Sequence, residues 1–188
     1  MNHKIFLIAV AILIMGYGFA PAQTRSEATD VGATLVSGAF SFSSQGGDLY
    51  ENTDDKRYTV VALVPGFFYF VAPGLGIGGD VSYNRESQGD ASFTFWGVGP
   101  KIGYFIDSGT DAIPFFSGGL NYISFGDGSD SEGGLRFKFG GGVLIRNGHL
   151  AVAIEAGYVW DRFKFEGASE ATTGNSIAIG IGLAGFLY

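Results

Sequence analysis

VVALVPGFFYFVAPGLGIGGDVSY, residues 60–83, is apolar over a length that would suit a transmembrane helix. Its residues 74–79, GLGIGG, also fit the G-x-G-x-x-G spacing of a dinucleotide loop. Neither reading fits the physics of the segment. Pro65, Gly66, Pro73, Gly74, Gly76, Gly78 and Gly79 would together cost a helix roughly 10 kcal/mol relative to alanine. The fingerprint needs a helix after its glycines and an acid about 20 residues on, yet the region near position 97 reads FTFWGVG. Ala72-Pro73-Gly74 is a turn signal, and its flanks are rich in Val, Phe and Tyr, as strands are. The run therefore reads as two strands and a tight turn.

The chain has 188 residues, of which the first 22 read as a targeting segment. Lys4 supplies a basic start, Ile5 to Met15 an apolar core, and Ala20-Pro21-Ala22 a small-x-small cleavage site. The expected organisation is a cleaved signal peptide over 1–22 and one domain over 23–188 beginning at Gln23. The apolar core is shorter than the ~20 residues of a membrane helix, and no Cys follows it to carry a lipid. Loss of Lys4, with no acid in the segment, moves the net charge from −7 to −8, which disfavours a nucleic-acid partner. With no cysteine, an exported chain must be held by packing or a closed hydrogen-bond ladder. Thirty-two glycines, 18 phenylalanines and only 15% charged residues point to a β-structure seated in a membrane.

The same reading predicts eight strands, at about 32–43, 58–71, 75–85, 91–106, 113–125, 135–145, 149–165 and 176–187. Their connections alternate in kind. Ala72 to Gly74, Asp107 to Ala112 and Arg146 to Gly148 are short, whereas Ser44 to Arg57, Glu86 to Asp90, Gly126 to Gly134 and Glu166 to Asn175 are mostly longer, polar and acidic. The expected fold is all-β: an eight-stranded antiparallel up-and-down transmembrane β-barrel with both termini on the short-turn side.

Alternation within the strands supports this, because lipid-facing and interior positions must have opposite parity. Leu75, Ile77, Gly79, Val81 and Tyr83 oppose Gly76, Gly78, Asp80, Ser82 and Asn84. Leu150, Val152, Ile154, Ala156, Tyr158 and Trp160 oppose a face carrying Glu155 and Asp161. The outward parity excludes Lys101, Arg136 and Lys138 from their strands' apolar faces. Outward aromatics fall at two levels, Tyr69 and Tyr104 near short turns, and Tyr83, Trp96, Tyr122 and Trp160 eight to eleven residues away. At ~3.3 Å per residue and ~40° of tilt, the girdles lie roughly 20 Å apart, near the ~25 Å apolar band of such barrels. A weak repeat, Pro65 to Val71 against Pro100 to Ile106, fits a barrel grown from hairpins.

The segments VPGFFYFVAPGLGIGGDVSY, GPKIGYFIDSGTDAIPFFSGGLNY and the closing NSIAIGIGLAGFLY resemble the small eight-stranded outer-membrane β-barrel family, the OmpA/OmpX-like group. The resemblance covers nearly the whole chain and is specific to architecture, not to an activity. It implies a bacterial outer-membrane location, contact with outer-membrane lipids and lipopolysaccharide, delivery by the barrel-assembly machinery, and Tyr188 as the terminal aromatic of the assembly signal. A single-chain barrel is expected to be a monomer. One departure stands out: Ile177, Ile179, Ile181, Leu183 and Leu187 share odd parity while Phe186 and Tyr188 are even, so a bulge or altered facing is expected near the end.

The chemistry legible in the chain is sparse. Some barrels of this size are lipid A-modifying enzymes that use an outer histidine with a serine and an acid. The only histidine after the targeting segment, His149, falls at a short turn on the opposite side. No catalytic group, cofactor site or metal-ligand set is expected. In the 126–134 loop Asp127, Asp130 and Glu132 lie close but lack EF-hand spacing. Asp54, Asp55, Glu166 and Glu170 extend an acidic outer rim. The inward charges Asp80, Lys101, Arg136, Lys138 and Glu155 are expected to form an interior polar network, since charges in a narrow lumen must be paired. By strand height, Asp80, Lys101 and Glu155 would cluster, with Lys138 a turn of the barrel away. The expected role is structural or interactive, through four outer loops; the alternative is a small gated channel.

Overall fold

In the computed structural model of the protein, the described residues are 27–45, 58–89, 91–126, 131–163 and 171–188. The targeting segment, its cleavage site and the acidic residues Asp54, Asp55, Asp127, Asp130, Glu166 and Glu170 lie outside them. Eight strands follow one another: β1 (Thr34–Gln45), β2 (Tyr58–Ala72), β3 (Leu75–Gln88), β4 (Ala91–Phe105), β5 (Ala112–Gly126), β6 (Ser131–Asn147), β7 (Leu150–Phe163) and β8 (Thr172–Leu187). Each pairs antiparallel with the next, and β8 returns to β1, closing a barrel. The expected fold class is the observed one.

Residues 60–83 are most of the β2–β3 hairpin. Ala72 faces Leu75 across a two-residue turn, Pro73-Gly74. Gly74 has a φ of 75°, and a Cβ there would stand 2.5 Å from the Phe105 carbonyl oxygen. Glycine is required on both counts. Pro100 leaves its own mark: lacking an N–H, it interrupts the β4–β5 register between Val98↔Tyr122 and Lys101↔Gly119.

At the other end the strands run further than the alternation suggested. β3 continues to Gln88, paired with Ala91, so the expected loop from Glu86 to Asp90 shrinks to a two-residue connection, 89–90. β6 starts at Ser131, opposite Gly126, and β8 at Thr172. Four long-side connections remain, at 46–57, 89–90, 127–130 and 164–171, but only the first and last have the length of loops. The reason is physical: above the apolar band both faces of a strand are wet, so polar residues occur on either parity while the backbone ladder continues.

The outward parity is the exposed one. Ile77, Val81, Val98, Ile102, Val152 and Ile154 all project from the wall. The inward parity splits into two levels. Near the short turns it is apolar and dense: Leu35, Phe68, Phe70, Phe105, Ile113, Phe115, Leu144 and Phe186 pack into a core that also takes Ala28 and Ala33. The Phe105 ring lies 5.2 Å from Phe68, 5.1 Å from Phe70 and 5.4 Å from Phe115, centroid to centroid. A single 3-10 turn, Glu27–Thr29, caps this core. It is tied to the wall because Gly74 N donates to Thr29 O at 2.9 Å, and Thr29 Oγ1 donates to Asp107 Oδ2 at 3.2 Å. The short-turn end of the lumen is thus plugged by hydrocarbon.

Phe186 belongs to this plug, and Tyr188 lies beyond the last residue of β8. The β7–β8 register runs without interruption from Leu150↔Gly185 to Phe163↔Thr172. Of the bulge or altered facing expected from the parity conflict, the register contains no bulge: Phe186 faces inward among the rings of the plug, and Tyr188 follows the end of the strand.

Phe105 touches three rings and has 1% exposure, so Phe105→Ala should destabilise the barrel by about 3–5 kcal/mol. Ile102→Ala, on the outer face of the same strand, should leave no interior cavity and shift the unfolding midpoint far less. Urea titrations of the folded protein in phospholipid vesicles would measure both; equal shifts would mean that the plug does not carry the stability assigned to it.

Candidate functional site

Above the plug the inward positions turn polar, and a rule governs where charge is placed. Each of three interior charges sits between glycines on both neighbouring strands. Asp80 faces Gly66 and Gly99, Lys101 faces Gly78 and Gly119, and Glu155 faces Gly142 and Gly180. The glycines leave room for a long side chain to lie across the adjacent strand. A Cβ at Gly66 would come within 2.6 Å of Lys101 Nζ and 3.1 Å of Asp80 Cβ. Of the glycines that resembled a nucleotide loop in the sequence, Gly78 faces Lys101, Gly76 makes room for the Phe68 ring and Gly74 forms the turn.

Asp80 is the centre of the network. Lys138 Nζ, from β6 across the lumen, donates to Asp80 Oδ1 at 2.7 Å and Oδ2 at 2.8 Å. Asn121 Nδ2 donates to Oδ1 at 2.6 Å. Around the wall, Arg136 grips Asp161 in a fork, Nε to Oδ1 at 2.8 Å and a terminal nitrogen to Oδ2 at 2.8 Å. Arg136 and Asp161 are direct cross-strand partners. Such two-point pairs are the geometrically specific ones.

Lys101 lies within electrostatic reach of Asp80 and Glu155, the cluster that strand height implied, but without a direct salt bridge to either. Lys138, expected a turn of the barrel away, is the partner of Asp80 instead. Lys101 holds its ammonium over the face of the Phe68 ring, 4.2 Å from the centroid, a cation–π contact. Glu155 is exposed to the lumen, next to Gly180 of β8. Neither Lys101 nor Glu155 makes a salt bridge with another described residue. Height along a strand gives a level but not a partner, since contacts across the lumen depend on how far the strands are staggered around the barrel.

Asn121 is the residue that the reading by charge overlooked. It is 1% exposed and bridges β5 to Asp80. Its signal was present in the parity: Tyr122 faces out, so Asn121 faces in. A polar side chain at such a position is conspicuous even without charge.

The aromatic levels are placed as follows. Tyr83 pairs with Trp96 across β3–β4, and Trp96 lies 6.2 Å from Tyr122. Trp160 lies 5.3 Å from Phe137. At the short-turn end Tyr69 faces Ile77 and Tyr104 faces Phe116 across their ladders. His149 sits in the turn between β6 and β7, its ring stacked on Tyr188 at 4.7 Å and its Nδ1 3.2 Å from the Phe186 carbonyl. Among the described residues, no cluster of acids and histidines has the geometry to hold a metal ion.

No family model matches the chain, and no curated protein matches it. Solved structures do. The outer membrane protein OprG from Pseudomonas aeruginosa superposes with a TM-score of 0.50 at 15% identity, over 85% of this chain and 98% of that one. Neisserial surface protein A (NspA) gives a TM-score of 0.50 at 12% identity, over 81% of this chain and 95% of that one. At such identities the likeness is one of fold: the chain has the architecture of the small outer-membrane β-barrels.

Removing Lys138 alone strands Asp80. The Lys138 side chain is 27% exposed, so the penalty is below that of a fully buried pair, and Lys138→Met should cost about 2–3 kcal/mol. The double variant Asp80→Asn/Lys138→Met should recover much of that loss, because no uncompensated charge remains. A double-mutant cycle in urea titrations would test this, and additive losses would show that the two groups are not coupled.

Proposed function

We propose that the protein is a non-enzymatic barrel of the bacterial outer membrane, of the OmpA/OmpX-like kind. The chain is exported by a signal peptide cleaved after residue 22 and is handed to the barrel-assembly machinery through its terminal aromatic, Tyr188. It works as a monomer that stabilises the envelope and presents its long-side connections to lipopolysaccharide or other surfaces. The observation that carries this reading is the divided interior. An aromatic plug fills one end of the lumen, and Asp80–Lys138 and Arg136–Asp161 tie the strands together above it. Such an interior is built for rigidity.

The same features weigh on the alternatives. A lid of packed Phe rings makes a poor path for ions, which disfavours the small gated channel. His149 is engaged by Tyr188 and the Phe186 carbonyl at the plugged end, which leaves a histidine-dependent lipid A-modifying reaction without its base at the outer face. The aromatic levels around Tyr83, Trp96 and Tyr122, and around Tyr69 and Tyr104, fit the two boundaries of an apolar slab.

Outer-membrane fractionation with a heat-modifiability gel tests the core of this reading. The protein should sediment with the outer membrane and migrate differently before and after boiling. Recovery in the soluble pool, with boiled and unboiled bands co-migrating, would overturn it. In planar bilayers the purified protein should be electrically silent, and discrete conductance steps would favour the channel instead.

A further inference from the structure

Charge is placed as selectively on the outer wall as in the lumen. Along the described strands two charged side chains fall on the outward parity, Arg85 of β3 and Arg162 of β7. Both are exposed. Neither makes a salt bridge with another described residue.

Their surroundings are the same on both strands. Arg85 stands two residues beyond Tyr83, which pairs with Trp96, and Arg85 itself faces Thr94. Arg162 stands two residues beyond Trp160, which pairs with Phe137 on one side and Asn175 on the other, and Arg162 itself faces Thr173. Each unit is an aromatic rung with an arginine–threonine rung directly above it. β3 and β7 lie four strands apart in the closed ring, so the two units occupy opposite walls.

Two residues of strand at ~3.3 Å each, tilted by ~40°, carry the arginine about 5 Å beyond the aromatic level, into the head-group layer. Directly opposed residues hold their Cβ atoms ~5 Å apart, so a guanidinium and a hydroxyl there converge on one small group. The guanidinium fork matches phosphate at two points, and the hydroxyl adds a third donor. No carboxylate competes from the neighbouring outward positions, which are Val61, Ser87 and Ser92 around Arg85 and Leu135 beside Arg162.

Snorkelling toward water alone would favour basic residues past both girdles. One girdle has them. Two residues beyond Tyr69 the chain has Val71, two beyond Tyr104 it has Ile106, and the turn that follows carries Asp107 and Asp111. Exposed guanidinium on the wall thus marks the boundary on the long-connection side, and what it lacks is a counter-anion from the lipid.

Resting on the reading of this chain as an outer-membrane barrel, we infer that Arg85–Thr94 and Arg162–Thr173 are two phosphate cradles. Each holds one phosphomonoester of a lipopolysaccharide molecule in the outer leaflet, with the first methylenes of its acyl chains against the tryptophan below. The wall itself, beneath the long connections, supplies the hold on the lipid.

The chain has two tryptophans, and one lies under each cradle, so Trp160→Phe leaves a reporter for Arg85 and Trp96→Phe one for Arg162. The full chain is refolded in vesicles of phosphatidylcholine and phosphatidic acid, a phosphomonoester lipid, with one or the other brominated near the head group as a quencher. Folding of every variant is checked by heat-modifiability. Phosphatidic acid should reach each tryptophan with about tenfold the affinity of phosphatidylcholine, the gain expected from one charge-assisted contact. Arg85→Gln should abolish the preference at Trp96 and leave it at Trp160, and Arg162→Gln should do the reverse. Thr94→Val and Thr173→Val should each lower it several-fold at their own site. Unbrominated lipid A should relieve the quenching, and inorganic phosphate should not. Equal quenching by the two lipids, a preference that survives the glutamine variants, no relief by lipid A, or relief by inorganic phosphate would each overturn the cradles. Tryptophans that neither brominated lipid quenches would instead overturn the membrane-barrel reading on which they rest.

Discussion

In hydrocarbon a backbone N–H or C=O can be satisfied only by another backbone group, and this one constraint orders the whole protein. It excludes an open sheet, forces β8 back to β1, and makes the inside of the barrel the only place where polar side chains can go. A barrel of eight strands is just wide enough to be filled by side chains. The interior therefore has to be solved as a packing problem in a narrow tube. The chain solves it in two layers, aromatic rings near the short turns and paired ions above them.

Glycine links these layers to the sequence. Gly66, Gly78, Gly99, Gly119, Gly142 and Gly180 are the cross-strand neighbours of Asp80, Lys101 and Glu155. An inward ion in a tube this narrow must fold sideways over the adjoining strand, and only a residue without a side chain lets it do so. Glycine opposite these ions is thus the counterpart of interior charge, and in the apparent nucleotide fingerprint at 74–79 it meets the turn at Gly74, the Phe68 ring at Gly76 and Lys101 at Gly78.

Much of this was legible before any coordinates. The hairpin turn at Pro73-Gly74 and the facing of Asp80, Lys101, Arg136, Lys138 and Glu155 follow from period-two alternation and turn chemistry alone. The upper strand ends were not legible, because Ser87 and Gln88 of β3 are polar on both parities once the strand leaves the apolar band. The pairing of Asp80 with Lys138 was hidden for another reason: it crosses the lumen and depends on stagger around the barrel, which no single strand encodes. The plug was written in the chain but masked by its surroundings. In Phe67-Phe68-Tyr69-Phe70 both parities are aromatic, so alternation alone did not single out Phe68 and Phe70 as a plug.

β1 and β8 share five residue pairs while every other neighbouring pair shares at least ten, and this uneven seam follows from where these layers lie. Strand pairing between β1 and β8 survives over Thr34 to Gly38, and it is there that Leu35 and Phe186 enter the plug while Tyr188 stacks on His149. Hydrophobic burial on the inner face holds the two strands together at that level. Above it β1 offers Ala39, and β8 offers Ala178, Gly180 and Gly182, none of which buries enough apolar surface to pull the edges together. Only the backbone bonds themselves then favour closure. The seam is held by packing and pairing over Thr34 to Gly38 and is unpaired beyond, so its fixed end is set by the same division of the lumen that closes its base.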